Sequence, residues 1–200
     1  MTAELADLRC NEDSALWVEG GAIQVVTRKV ELPEDDAASF ALYLFWLYSG
    51  KIATKQVDGL ENWDALAGLY IIGEKLVDKA MQDRVIDTFV LATRQERHGE
   101  AGKGLRWFPT KENVDLLYKS LPGSSPARQL MVDMHVLYGA EKWIDRDDLD
   151  NNNKEFLADL AVALLARATG ASREKEMCEI DDGVPCSYHH HGKDEPCDSK

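Results

Sequence analysis

The sequence predicts a mainly α fold with a small α+β component: a helical cluster with one or two short strands, then a helical extension and a disordered tail. Six segments repeat apolar residues every three or four positions, as amphipathic helices do. Most of them follow a capping residue, and several end at glycine. From residue 171 onward the chain is acidic and poor in large apolar side chains. These observations divide it into residues 1–98, 105–170 and 171–200.

The strand prediction rests on residues 23–32. This segment is rich in β-branched residues, follows two glycines and is closed by Pro33. It has the length of one or two short strands.

Three helices are predicted in the first region, at residues 37–49, 62–77 and 79–97. The first follows Pro-Glu-Asp-Asp, whose carboxylates complement the positive end of a helix dipole, and it ends at Gly50. A polar, glycine-rich stretch at residues 98–104 then interrupts the pattern, and we interpret it as a domain boundary.

Three more helices are predicted in the extension, at residues 110–121, 126–140 and 154–169. Thr110 and Ser125 are suitable N-caps, and Pro126 suits a first helical turn. Gly170 marks the end of the last helix.

Length and charge exclude several classes of function. The chain has 200 residues and a formal net charge of −13, which would repel a phosphate backbone, so we expect no direct binding to nucleic acid. No segment is long and apolar enough for a membrane span. Three of the four cysteines lie in the tail, which favours reduced thiols or a metal over a disulfide framework. We therefore expect an intracellular protein, cytoplasmic or nuclear.

Two long motifs resemble the BTB/POZ domain in its fungal form. They are VELPEDDAASFALYLFWLYSGKI at residues 30–52 and LAGLYIIGEKLVDKAMQDRVIDTF at residues 66–89. SSPARQLMVDMHVLYG and CSYHHHGKDEPC, further along, are similar to the C-terminal extension of fungal members. Residues 1–29 do not reproduce the strand hairpin and first helix with which the domain begins.

The resemblance implies a protein–protein interaction module, an adaptor or scaffold. In the family this means dimerisation or recruitment of other proteins, for some members a cullin-type ubiquitin ligase. The resemblance also implies homodimerisation, although residues 1–29 do not reproduce the segment that supplies most of the family's dimer interface. A further hypothesis is that the shortened domain has no independent function.

The helix at residues 37–49 is apolar on all sides, which is typical of a helix that is buried on two faces or docks on a partner. We assign Leu42, Phe45 and Trp46 to the face opposite Phe40 and Tyr43. Either the extension covers this second face, or it binds a partner with Phe45 at its centre.

The tail carries a set of zinc-type ligands, and the predicted metal-binding residues are Cys178, Cys186, His189, His191 and Cys197. Four of these groups would complete a tetrahedral site, although the usual Cys-x2-Cys pair is absent. The alternatives are adventitious binding by the histidines and no metal at all. A small zinc-binding regulatory protein acting through this tail is the alternative to the interaction module.

Catalytic chemistry is not predicted. The sequence contains no recognisable Ser/His/Asp or Cys/His arrangement, so we expect no enzyme. His135 lies within a helical stripe, where we expect a hydrogen-bonded structural role.

Overall fold

The fold is built from helices, which confirms the predicted mainly α class. The structure is a computed structural model that describes residues 36–98, 104–144, 152–169 and 188–191. Within these ranges the α-helices are α1 (Ala37–Ser49), α2 (Trp63–Leu76), α3 (Lys79–Ala92), α4 (Lys111–Ser120), α5 (Pro126–Tyr138) and α6 (Lys154–Ala168). A short 3-10 helix, Glu141–Trp143, follows α5. None of the described helices has the length and apolar character needed to cross a membrane.

Each helix begins at or within one residue of its predicted start. The Ser125 side chain, which was predicted to cap the helix that begins at Pro126, makes no capping hydrogen bond there. The Asp36 carboxylate accepts a hydrogen bond from the Ser39 amide at 2.8 Å and so caps α1. At the other end, Gly50 adopts a left-handed conformation with φ 64°, and its N–H donates to the Trp46 carbonyl.

The third helix is shorter than predicted. Residues 79–97 were expected to be helical, but α3 ends at Ala92. The Thr93 hydroxyl donates to the Val90 carbonyl at 2.7 Å, and the next two amides close short turns instead of continuing the helix.

Strands β1 (Glu96–His98) and β2 (Gly104–Arg106) then form an antiparallel pair, with Glu96 opposite Arg106 and His98 opposite Gly104. The stretch predicted to be a polar break therefore lies between two short strands. The strand predicted at residues 23–32 lies outside the described residues.

One hydrophobic core extends across this stretch. Helix α2 is its centre, with Leu66, Leu69 and Tyr70 fully buried, and it packs against α1, α3 and α4. Helix α5 packs against α4 and α6. The apolar contacts therefore continue from the first predicted region into the extension. The division of the chain into domains stays a prediction.

Helix α1 lies close against α2 at Gly68. A Cβ atom at this position would lie 2.1 Å from the Ser39 hydroxyl oxygen and 3.2 Å from the Ser39 Cβ. No real Cβ atom tolerates the shorter of these distances, so the spacing of the two helices depends on the glycine.

Arg128 joins the three helices of the extension. It lies on α5, and its guanidinium stacks 3.9 Å from the centre of the Tyr118 ring on α4. The guanidinium Nη2 donates to Glu155 on α6 at 2.6 Å, and Nη1 donates to the Leu121 carbonyl at 3.3 Å. The arginine side chain is only 7% exposed, so this pair is largely shielded from water on the arginine side.

Candidate partner-binding surface

The inward face of α1 is formed by residues at regular helical spacing. Ser39 and Tyr43 are buried, and Leu42 and Trp46 pack against the core. These four positions have the i, i+3, i+4, i+7 spacing of one helix face. Two of the three residues predicted to bind a partner, Leu42 and Trp46, are therefore placed on the face that meets α2.

A hydrogen bond fixes the orientation of this face. The Trp46 indole N–H donates to Oδ2 of Asp78 at 3.3 Å. The other carboxylate oxygen of Asp78 accepts from the Met81 amide at 2.9 Å and caps α3. A single carboxylate thus holds the C-terminal half of α1 against the start of α3.

The outward face of α1 is apolar and exposed. Phe45 is 47% exposed, Leu47 56% and Tyr48 84%. Phe45 and Tyr48 are three residues apart and therefore neighbours on the helix surface. The structure thus separates Phe45 from Leu42 and Trp46 and places it beside Tyr48, while Leu47 flanks Tyr48 on the other side. We call these three exposed residues the α1 surface.

Leu47 and Tyr48 are not among the residues predicted to bind a partner. Because α1 is apolar on all sides, its sequence has no polar stripe to mark the solvent side. No signal within the α1 sequence distinguishes its inward residues from its outward ones.

A second feature is a short piece of the C-terminal region, residues 188–191, which packs on α3 and α5. The Tyr188 hydroxyl donates to Asp133 of α5, and the ring is 4% exposed. The His189 Nε2 atom lies 2.7 Å from Asp87 Oδ1, and both side chains are almost completely buried. The predicted disordered tail therefore contains an ordered segment, which we call the C-terminal segment.

The next residue of the segment makes two contacts with a single carboxylate. The His190 amide donates to Asp83 Oδ1 at 3.0 Å, and its ring Nδ1 lies 2.7 Å from the same oxygen. Burial raises the pKa of Asp87, and the neighbouring His189 opposes that rise. Three successive residues of the segment are thus held by three aspartates.

The predicted zinc ligands are only partly placed by the structure. His189 faces Asp87, and its ring is packed edge-on against that of His191 at 5.9 Å between centres. Within the described ranges, no group of three or more His, Cys, Asp or Glu residues could hold a metal ion. Cys178, Cys186 and Cys197 lie outside those ranges, so the zinc site stays a prediction.

His135 occupies a structural position. Its Nδ1 atom lies 2.7 Å from the Met131 carbonyl oxygen, one turn earlier on α5. Its ring meets Trp143 and Phe156 edge-on, at 5.2 and 4.8 Å between centres. Burial lowers the pKa of His135, and the contact with the Met131 carbonyl partly opposes this shift.

Comparisons with known proteins add no relative to this description. No protein-family model, no curated protein and no solved structure matches the chain.

Proposed function

We propose that the chain is a non-catalytic protein–protein interaction module of the BTB/POZ type, which acts as an adaptor through the α1 surface. The observation that carries this proposal is the exposure of Phe45, Leu47 and Tyr48 on one helix. Aromatic side chains are over-represented among the residues that dominate binding energies at interfaces. The resemblance of residues 30–52 and 66–89 to the BTB/POZ domain supports the same function. Recruitment to a cullin-type ubiquitin ligase is the more specific form of the proposal.

The chemistry of the surface defines the partner that it fits. Phe45 and Tyr48 project from neighbouring turns of a helix that is capped at Asp36 and ends at Gly50. A partner with an apolar groove would bury both rings and leave the tyrosine hydroxyl at the rim, where water or a polar group satisfies it. The partner is therefore another protein with a groove lined by apolar side chains.

A photo-crosslinking experiment tests the proposal in the native cell. Tyr48→p-benzoylphenylalanine places a photoreactive ring at the most exposed position of the α1 surface. Leu165→p-benzoylphenylalanine is the matched control, because Leu165 is 67% exposed on α6. We expect a specific crosslinked protein from position 48 that is absent from position 165, and mass spectrometry identifies it.

The same crosslinked product must depend on Phe45. We expect Phe45→Ala to reduce its yield, since truncation of an interface hot spot weakens binding by about 1–3 kcal/mol. A product of twice the chain mass that contains only this protein would assign the surface to homodimerisation. Equal crosslinking from positions 48 and 165, or a yield that Phe45→Ala leaves unchanged, would contradict the proposal.

A further inference from the structure

A cavity of about 170 Å³ lies where the loop before α2, the end of α3 and the segment after β2 meet. It is separate from the α1 surface and from the C-terminal segment. Two tryptophans, two carboxylate residues and two glutamines line most of it: Trp63, Trp107, Asp58, Glu61, Gln56 and Gln95.

The charge of the lining is negative. Asp58 and Glu61 are its two acidic residues, and the described lining contains no lysine or arginine. Glu61 is 9% exposed, and its carboxylate accepts a hydrogen bond at 2.6 Å from the neutral Thr54 hydroxyl. Among the described side chains no cation forms an ion pair with Glu61. A cation bound beside such a buried carboxylate would stabilise it, because it would supply the positive charge that the carboxylate otherwise lacks.

The helix ends near the cavity also favour a positively charged ligand. Ala92, the last residue of α3, forms part of the wall, and the C-terminal end of a helix carries a partial negative charge. Helix α2 begins at Trp63 with the opposite polarity, but the Asn62 side chain already accepts from the Asp64 and Ala65 amides. The positive end of α2 is thus occupied by its own cap.

The aromatic wall is held in place by the core. The Trp63 ring stacks on Phe89, with 5.4 Å between ring centres and 24° between planes, and Phe89 is fully buried. Trp107 is 47% exposed. One wall is therefore fixed, and the other is accessible from solvent.

The acidic wall is also pre-organised. Gly59 has a φ of 82°, and the Gln56 amide donates to the Leu60 carbonyl at 2.8 Å across the loop. The Glu61 amide donates to the side chain of Gln95, beyond the end of α3, at 3.2 Å. The loop therefore needs little reordering when a ligand binds.

We propose that this cavity binds an organic cation of the alkylated ammonium class. Quaternary ammonium groups bind to tryptophan faces through cation–π attraction, and their weak hydration makes transfer into a partly apolar cavity cheaper than for a free amine. The net charge of −13 adds a long-range attraction for any cation. A methylated lysine side chain and a free small molecule share this chemistry.

Choline and its neutral isostere 3,3-dimethylbutan-1-ol test the charge requirement directly, because they have nearly the same shape. Each is titrated into the full chain at constant ionic strength, with tryptophan fluorescence as the readout. We expect saturable binding of choline that is at least about tenfold tighter than that of the alcohol. Equal affinities, or no saturable choline binding at millimolar concentrations, would overturn the proposal.

Variants locate the site, with circular dichroism to verify folding. Trp107→Ala and Glu61→Gln should each weaken choline binding by about tenfold, whereas Tyr48→Ala on the α1 surface should leave it unchanged. If Glu61→Gln does not fold, Asp58→Asn provides the same test on an exposed carboxylate. Unchanged binding in both Trp107→Ala and the carboxylate variant would reject the cavity as the site.

Peptides separate the two sources of the cation. A trimethyllysine peptide that binds more tightly than both choline and its unmodified counterpart would assign the cavity to a modified protein. A trimethyllysine peptide no tighter than choline would assign it to a free quaternary ammonium molecule. Because the cavity and the α1 surface are separate, failure of this inference leaves the crosslinking result on α1 unaffected, and the reverse also holds.

Discussion

Tyr43 and Phe45 lie two residues apart on α1 and have opposite surroundings. Tyr43 is 9% exposed and contacts the core, whereas Phe45 is 47% exposed. We expect Tyr43→Ala to lower the free energy of unfolding by about 3–5 kcal/mol, as for other large buried aromatic residues. We expect Phe45→Ala to cost roughly 1 kcal/mol or less, because about half of its ring is already in water. Urea denaturation measures both changes, and a larger loss for Phe45 than for Tyr43 would contradict the assignment of faces.

His135 gives the chain a pH-dependent stability. Because burial lowers its pKa, the folded state keeps the ring neutral at pH values where the unfolded chain, with a pKa of about 6.5, is already protonated. The unfolded state therefore binds more protons below about pH 6.5, and the free energy of unfolding falls as the pH falls through this value.

The variant His135→Phe isolates this contribution. Phenylalanine keeps the aromatic contacts with Trp143 and Phe156 but cannot titrate. We expect the slope of unfolding free energy against pH just below about pH 6.5 to be smaller in the variant than in the parent chain. Identical slopes would show that His135 does not titrate differently in the folded and unfolded states.

At the scale of elements, the contact between α1 and α2 predicts a specific coupling. Gly68→Ala should destabilise the fold by about 1–3 kcal/mol, because the new Cβ overlaps the Ser39 hydroxyl. Ser39→Ala removes that hydroxyl and leaves a tight separation of 3.2 Å between Cβ atoms. The double variant should therefore lose less stability than the sum of the single variants. Strict additivity in this double-mutant cycle would show that the helices do not meet at Gly68.

Attachment of the C-terminal segment to α3 is testable by hydrogen exchange. The His190 amide donates to the Asp83 carboxylate, so Asp83→Ala should speed exchange of this amide by about tenfold, which corresponds to a charge-assisted hydrogen bond of about 1.4 kcal/mol. Asp115→Ala is a suitable control, since Asp115 lies on α4 and has no hydrogen bond with the segment. A His190 amide that exchanges at the same rate in both variants would contradict the docked position.

Elements differ in how far the sequence predicts them. The start and end of α1 follow from Asp36 and Gly50, whose caps are local interactions within four residues. The inward face of α1 does not follow from its own sequence, because the apolar residues surround the helix and give no period. Contacts with other helices, such as that of Ser39 with Gly68 and that of Trp46 with Asp78, select the inward face.

The C-terminal segment could not be predicted for a related reason. A sequence of histidines beside cysteines indicates metal ligands, while the aspartates that contact His189 and His190 lie 102 and 107 residues away. Nothing local on α3 marks those aspartates as partners of the histidines. The cavity beside Trp63 was missed similarly, since its walls come from three separated parts of the chain.

For the molecule as a whole, the continuous core predicts cooperative unfolding. Helices α2 to α6 share buried contacts, so the regions on either side of residues 98–104 should unfold together. We expect coincident urea midpoints from far-UV circular dichroism, which reports all helices, and from tryptophan fluorescence. Two resolved transitions would indicate that the two regions are independent domains, as the sequence-based division predicts.

The contact between His189 and Asp87 also has a consequence for biosynthesis. The two residues are 102 positions apart, and synthesis proceeds at about 5–20 residues per second. Asp87 is therefore made roughly 5 to 20 seconds before His189. During that interval Asp83 and Asp87 lack the two histidines that later contact them, so the part of α3 that becomes buried is still exposed to water.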